Sequence, residues 1–323
     1  MFKTKYLKLR VACLGSLLVA ACTSVPPQPE FSAPHGTVSP SRIESHLSNL
    51  GEIVARNSPS EAPGVTREYL GEALSEAGAE LTRHADDGRE HLEARLPGRN
   101  PGEIIVLVPL PTPGAPTWID DSGVVLGLEL VRVSAERELE YSLAVLFAEV
   151  RSNQQHAPEG DEASLEEGAV AARKAVAVAG ESLLKALGSA GAERLANARA
   201  VLVLEPQAYQ PIQIARDLPS HPVFRTLFWE TAASLGHSAL FPRESAWASP
   251  AGLQTALHGA EVGRLLAIVD ATTVLTDVSN EGPAPRVADP SVAAMRLGPL
   301  LEVVSEGIER LMVQFERIDA FSE

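Results

Sequence analysis

Four short apolar runs constrain this chain more than any other feature. They are "EIIVLV" at 103–108, "YSLAVLFAEV" at 141–150, "ARAVLVLEP" at 198–206 and "RLLAIVDAT" at 264–272. Each has the length of a strand, and none alternates between apolar and polar residues. That is the pattern of strands buried on both faces. Helical patterns separate them: "DDSGVVLGLELVRVSAERE" at 120–138, the Ala-rich 169–195, "HPVFRTLFWETAASLG" at 221–236, and a long closing segment at 291–317. Strands that alternate with helices predict an α/β fold, with a mostly parallel central sheet and helices on both faces.

The N-terminal part of this domain reads differently. "SRIESHLSNLGEIVAR" (41–56) is amphipathic, and Ser41 with Glu44 has the spacing of a capping box. "TREYLGEALSEAGAEL" (66–81) predicts a second helix that ends near Gly78. His84-Ala85-Asp86 runs into Asp87-Gly88, a hairpin signal, and "HLEARLPG" (91–98) alternates as a half-buried strand does. "PGRNPG" (97–102) predicts a turn, and the acidic stretch 151–168 a solvated loop. With 323 residues, 45% of them hydrophobic and only 5% aromatic, the core must be built from Ala, Val and Leu. One domain over 41–323 accommodates all these elements.

Residues 1–21 have the pattern of an export leader. Lys3, Lys5, Lys8 and Arg10 precede an apolar run too short to be a permanent membrane span. The run ends in Val19-Ala20-Ala21-Cys22, which resembles a bacterial lipobox. That resemblance implies cleavage before Cys22 and acylation of its thiol, hence a lipoprotein anchored in the cell envelope. Thr23, where an Asp would retain the protein, is similar to an outer-membrane address facing the periplasm of a Gram-negative cell. Pro-rich residues 22–40 then form an extended tether. The only other cysteine is Cys13, so the mature domain has no free thiol. Disulfides and cysteine-ligated zinc are excluded. Of 27 basic residues, four lie in the leader, which leaves 23 against 42 acidic ones and a net charge of −19. Such a surface repels nucleic acid and anionic lipid alike.

Few motifs for chemistry stand out. There is no His-Glu-x-x-His and no phosphate-binding glycine loop. Gly236-His237-Ser238-Ala239-Leu240 approaches a serine-hydrolase elbow, the basis of a metal-free hydrolase reading. It ends in Leu, however, and follows a helix instead of a strand. Asp120-Asp121-Ser122 at a helix start suits N-capping.

From about 41 to 316 the order of pieces resembles the two-zinc exopeptidases, the family of bacterial leucyl aminopeptidase, aminopeptidase Y and glutamate carboxypeptidase. The matching pieces are Tyr69-Leu70 and Gly78, "HLEARLPG", "PGAPTWIDDSGVVLGLELVR" and "LAVLFAEV". The resemblance implies a zinc-aminopeptidase-like α/β/α sandwich. It also assigns positions. The His-x-Asp motif falls on Pro109-Leu110-Pro111 and the bridging Asp on Ile119, with Asp120 and Asp121 beside it. The Glu-Glu pair falls on Glu149-Val150, which leaves Glu149 as the relic of the general base, and a later Asp falls on Glu205. No His follows His258 to supply the last ligand. Zinc catalysis needs those donors and a metal-acidified water. The expectation is therefore a protein without cofactor, binding or scaffolding a peptide or an envelope protein. Pro109, Pro111, Trp118 and Ile119 would then line its cleft. The alternative is an active metal-dependent exopeptidase with a rebuilt zinc site.

Overall fold

The computed structural model describes residues 37–58, 60–86, 89–111, 120–149, 191–208, 211–216, 219–243, 257, 262–270 and 289–320. All fall within one compact unit, Pro34–Glu323. The elements are α1 (Pro40–Arg56), α2 (Ala62–Glu76), β1 (Glu80–Asp86), β2 (Arg89–Leu96), β3 (Asn100–Leu110), α3 (Asp121–Ala135), β4 (Tyr141–Glu149), α4 (Gly191–Asn197), β5 (Ala200–Glu205), α5 (Pro222–Ser234), β6 (Leu265–Val269) and α6 (Pro290–Ala320). The strands form one six-stranded sheet in the order β1-β2-β4-β3-β5-β6. The four apolar runs make its parallel part, with β3 paired to β4 and β5, and β5 to β6. β1 and β2 join antiparallel at one edge. The predicted α/β architecture is the observed one.

Two apolar layers account for the absence of alternation in the core strands. Val106, Val108, Phe147, Leu202 and Leu204 face a large core shared with α1, α2, α3, α5 and α6. Ile105, Leu107, Leu146, Ala148, Val201 and Val203 face a smaller one with Leu195 of α4. Every residue of β4 is buried. On the second face Arg194 of α4 donates to both Glu93 of β2 and Glu103 of β3, each contact at 2.8 Å. This clamp ties a short helix to two strands. On the first face Glu129 of α3 accepts from Arg42 at 3.2 Å and Arg132 at 3.0 Å, with His46 3.3 Å away. Its carboxyl is desolvated, yet the hydrogen bonds from His46 and Arg132 outweigh that and hold its pKa at about 2. Arg132 also donates to the carbonyl of Thr37, which holds the residues before α1 to α3.

Three local expectations need correction. The Ser41–Glu44 capping box does not form: α1 starts one residue earlier, Ser39 is the N-cap, and its side chain makes no capping bond. Pro40 takes the first helical position, where its missing N–H costs nothing, and Ser41 is already inside the helix. The second helix ends near Gly78 as expected, with Gly78 (φ 85°) turning the chain into Glu80–Asp86, but it begins at Ala62, four residues before Thr66. Finally, Asn100–Gly102 belong to β3, joined through a bulge before Glu103, so the predicted turn shortens to its first residues. The hairpin signal itself lies between β1 and β2, with Asp86 opposite Arg89 and the turn residues outside the described set. The acidic stretch 151–168 and most of the Ala-rich segment also lie outside it. No helix among the described residues is long and apolar enough to cross a membrane.

Candidate functional site

The chain leaves β3 toward β4 and leaves β5 toward β6, so the connections of two neighbouring strands diverge. In open α/β sheets the crevice at such a point, beyond the carboxyl ends of the strands, is where ligands bind. Leu110, Glu149, Glu205 and Asp270 stand at those ends. The N-terminus of α3 reaches over them. A Cβ on Gly123 would lie 2.9 Å from the carbonyl of Leu204, so only glycine allows this approach. Ser122 Oγ accepts from the amide of Ala208 at 3.0 Å, which holds the segment after β5 to the same helix start.

Asp120 is the N-cap of α3. One carboxylate oxygen accepts from the Ser122 amide at 2.8 Å, and the other is enclosed with no hydrogen-bond partner among the described residues. Desolvation pushes its pKa up to about 7. Asp121 occupies the first turn, where a negative charge meets the positive end of the helix dipole. The expected capping role of this pair is the observed one.

Glu149 is buried at the end of β4. Arg67 of α2 places Nη1 3.5 Å from its Oε2 and Nε 3.2 Å from Glu90 Oε2. The amide of Glu90 approaches the same Glu149 oxygen at 3.4 Å. The backbone amide of Glu149 donates to Nδ1 of the buried His91 at 3.1 Å. An amide can donate only to an unprotonated nitrogen, so His91 carries its proton on Nε2.

Glu149 and Glu205 do not share a site. Side chains alternate along a strand. Glu149 follows Phe147 onto the face of α1–α3, whereas Glu205 follows Val203 onto the face of α4. Pro109 is buried inside β3, opposite Ala148. The β5 ladder ends at Leu107, so the strand beyond has one neighbour fewer and a missing N–H is tolerated. Pro111 is partly exposed just past the strand; Trp118, Ile119 and Cys22 lie outside the described residues.

The sequence matches no family model and no curated protein. Solved structures do match. The fold is that of the zinc exopeptidases and glutaminyl cyclases. A leucine aminopeptidase precursor from Bacteroides thetaiotaomicron aligns with TM-score 0.63 at 13% identity, covering 85% of this chain and 99% of its own. A glutaminyl cyclase from Fimbriiglobus ruber aligns with TM-score 0.62 at 15% identity, covering 88% and 99%. A Zn-dependent exopeptidase from Parabacteroides distasonis aligns with TM-score 0.60 at 12% identity, covering 85% and 99%. At such identities the likeness speaks for the fold alone.

Proline side chains at 109 and 111 offer no donor, Glu149 lies beside a guanidinium, and Glu205 leaves the sheet on the other face. Among the described residues no group of three or more His, Cys, Asp or Glu is placed to hold a metal ion. These residues do not fit a two-zinc centre.

Three residues of this edge escaped the sequence. Asp270, fully buried at the end of β6, carried a usable signal: an acid that closes an apolar run at the carboxyl edge of a parallel sheet. Arg67 and His91 carried none, because each is defined by a partner far away in the chain.

Proposed function

We propose that this protein is a cell-envelope lipoprotein, acylated at Cys22, whose exopeptidase-like domain binds or scaffolds a peptide or protein partner without metal catalysis. The observation that supports this most is the arginine beside Glu149. In a hydrolytic site of this fold type, that carboxylate would have to take a proton from a water made acidic by metal. Here a cation belonging to the chain sits 3.5 Å from it, and the strand that should supply a ligand pair carries prolines. The competing proposal is an exopeptidase or glutaminyl cyclase with a rebuilt metal site, drawn from Asp120, Asp270 and residues between β3 and α3.

Metal content and turnover of the purified mature protein decide between the two. A ligand at 100 times its dissociation constant stabilises a fold by about 2.7 kcal/mol. Each kcal/mol moves the Tm of a domain this size by roughly 2–4 °C. A working zinc site would raise Tm by about 5–10 °C in micromolar zinc, with a matching fall in chelator. We expect neither shift, no stoichiometric zinc by elemental analysis, and no hydrolysis of aminoacyl arylamides or cyclisation of N-terminal glutamine above background. Chelator-sensitive turnover would establish the competing proposal instead.

A further inference from the structure

We propose that Arg67 is a built-in counter-ion of this sheet edge, pairing with Glu149 and Glu90 at once and locking α2 onto the ends of β2 and β4. This deepens the metal-independent reading above and rests on it. Three observations carry it. First, one guanidinium contacts two carboxylates from different strands, at 3.2 and 3.5 Å. Second, the group is enclosed. The side chain of Arg67 is 16% exposed and that of Glu149 4% exposed, so this pair interacts in a medium where charge counts for more than it does at the surface. Third, the surroundings fix the two acids in place. Arg83 holds the other oxygen of Glu90 at 3.0 Å, the Glu90 amide leans on Glu149 Oε2, and His91 anchors the Glu149 backbone.

Nε and Nη1 of Arg67 are buried without well-aligned hydrogen bonds, so their contacts to the carboxylates are ionic in character. That is how a point counter-ion behaves, and it differs from the fork-shaped bidentate grip Arg194 has on Glu93 and Glu103. The guanidinium puts a fixed charge, carried by the chain itself, beside the acid that ends β4. A divalent ion would have to displace that charge to reach Glu149. The edge is thus ordered by a charge of its own, as a permanent binding surface requires.

The test is a double-mutant cycle on the full mature chain: Arg67→Gln, Glu149→Gln and the pair, read by Tm with and without micromolar zinc. Arg67→Gln leaves two acids facing each other, one of them buried, and should lower Tm by about 5–10 °C. Adding Glu149→Gln to Arg67→Gln should recover a large part of that loss, because the stranded charge is gone. Arg67→Lys, which keeps the charge but has a single point of contact, should fall between wild type and Arg67→Gln. Additive effects of the two Gln substitutions, or an Arg67→Gln protein as stable as wild type, would overturn the counter-ion role. Zinc stabilisation of the wild type would instead overturn the metal-independent reading, so the two failures are distinguishable.

Discussion

Asp120 serves two ends that pull against each other. As N-cap it accepts from the Ser122 amide, while its other oxygen is enclosed without a partner among the described residues. Capping favours an acceptor there, and burial disfavours a charge. The balance is a pKa of about 7, well above the ordinary aspartate value of 3.8. The sign follows from linkage. An acid whose folded pKa is raised contributes stability below its unfolded pKa of 3.8 and loses it as pH climbs toward about 7. Asparagine caps helices as well as aspartate and never ionises. Asp120→Asn should therefore gain Tm relative to wild type between pH 4 and pH 7 and hold that gain above it. Melting curves across that range check this, and a difference that does not change with pH would refute it. Pro109 shows what one residue tells and withholds. Its lack of a metal donor is plain in the sequence, but its place inside a buried ladder depends on where β5 stops pairing.

At the scale of elements, α3 organises the site. It is buried almost all round and presents its N-terminus to the carboxyl end of β5. The approach depends on Gly123, whose missing Cβ would fall 2.9 Å from a backbone carbonyl that cannot swing away. Gly123→Ala should lift the helix start, weaken the bond from the Ala208 amide to Ser122 Oγ, and cost about 1–3 kcal/mol. Denaturant unfolding checks the cost, and slower amide exchange at Ala208 than in wild type would contradict the mechanism. The helix and its cap were legible, because apolar residues run from Val124 to Val133 behind an Asp-Asp-Ser start. The Ser41–Glu44 box fails for a local reason: Pro40 closes a Pro-rich stretch, yet proline is favoured at the first position of a helix and moves the N-cap to Ser39.

At the scale of the molecule, anchoring and charge set how the domain meets its surroundings. Arg132 and the core hold Thr37 and Val38 near the end of α3 opposite Asp120. About 11 residues of helix, each rising about 1.5 Å, separate Arg132 from the acidic edge, so on the lipoprotein proposal that edge lies away from the anchor. On the lipoprotein proposal the acyl chains supply the anchoring, since the net charge of −19 without the leader gives no attraction to anionic lipid. Cys22→Ala should leave unprocessed precursor or soluble protein, and membrane fractions that still hold mature Cys22→Ala protein would end the lipoprotein proposal. The sequence by itself determined the fold class, because continuous apolar runs of strand length can only be buried in a sheet covered on both faces. It also placed Glu149 and Glu205 at the carboxyl ends of their strands. Only the tertiary structure decided how those side chains combine. Strand register put Glu149 and Glu205 on opposite faces, and packing of α2 brought Arg67 to an acid 82 positions away in the chain. Charge pairing across such distances leaves no local periodicity to read, since it is the fold and not the neighbouring sequence that brings the partners within reach.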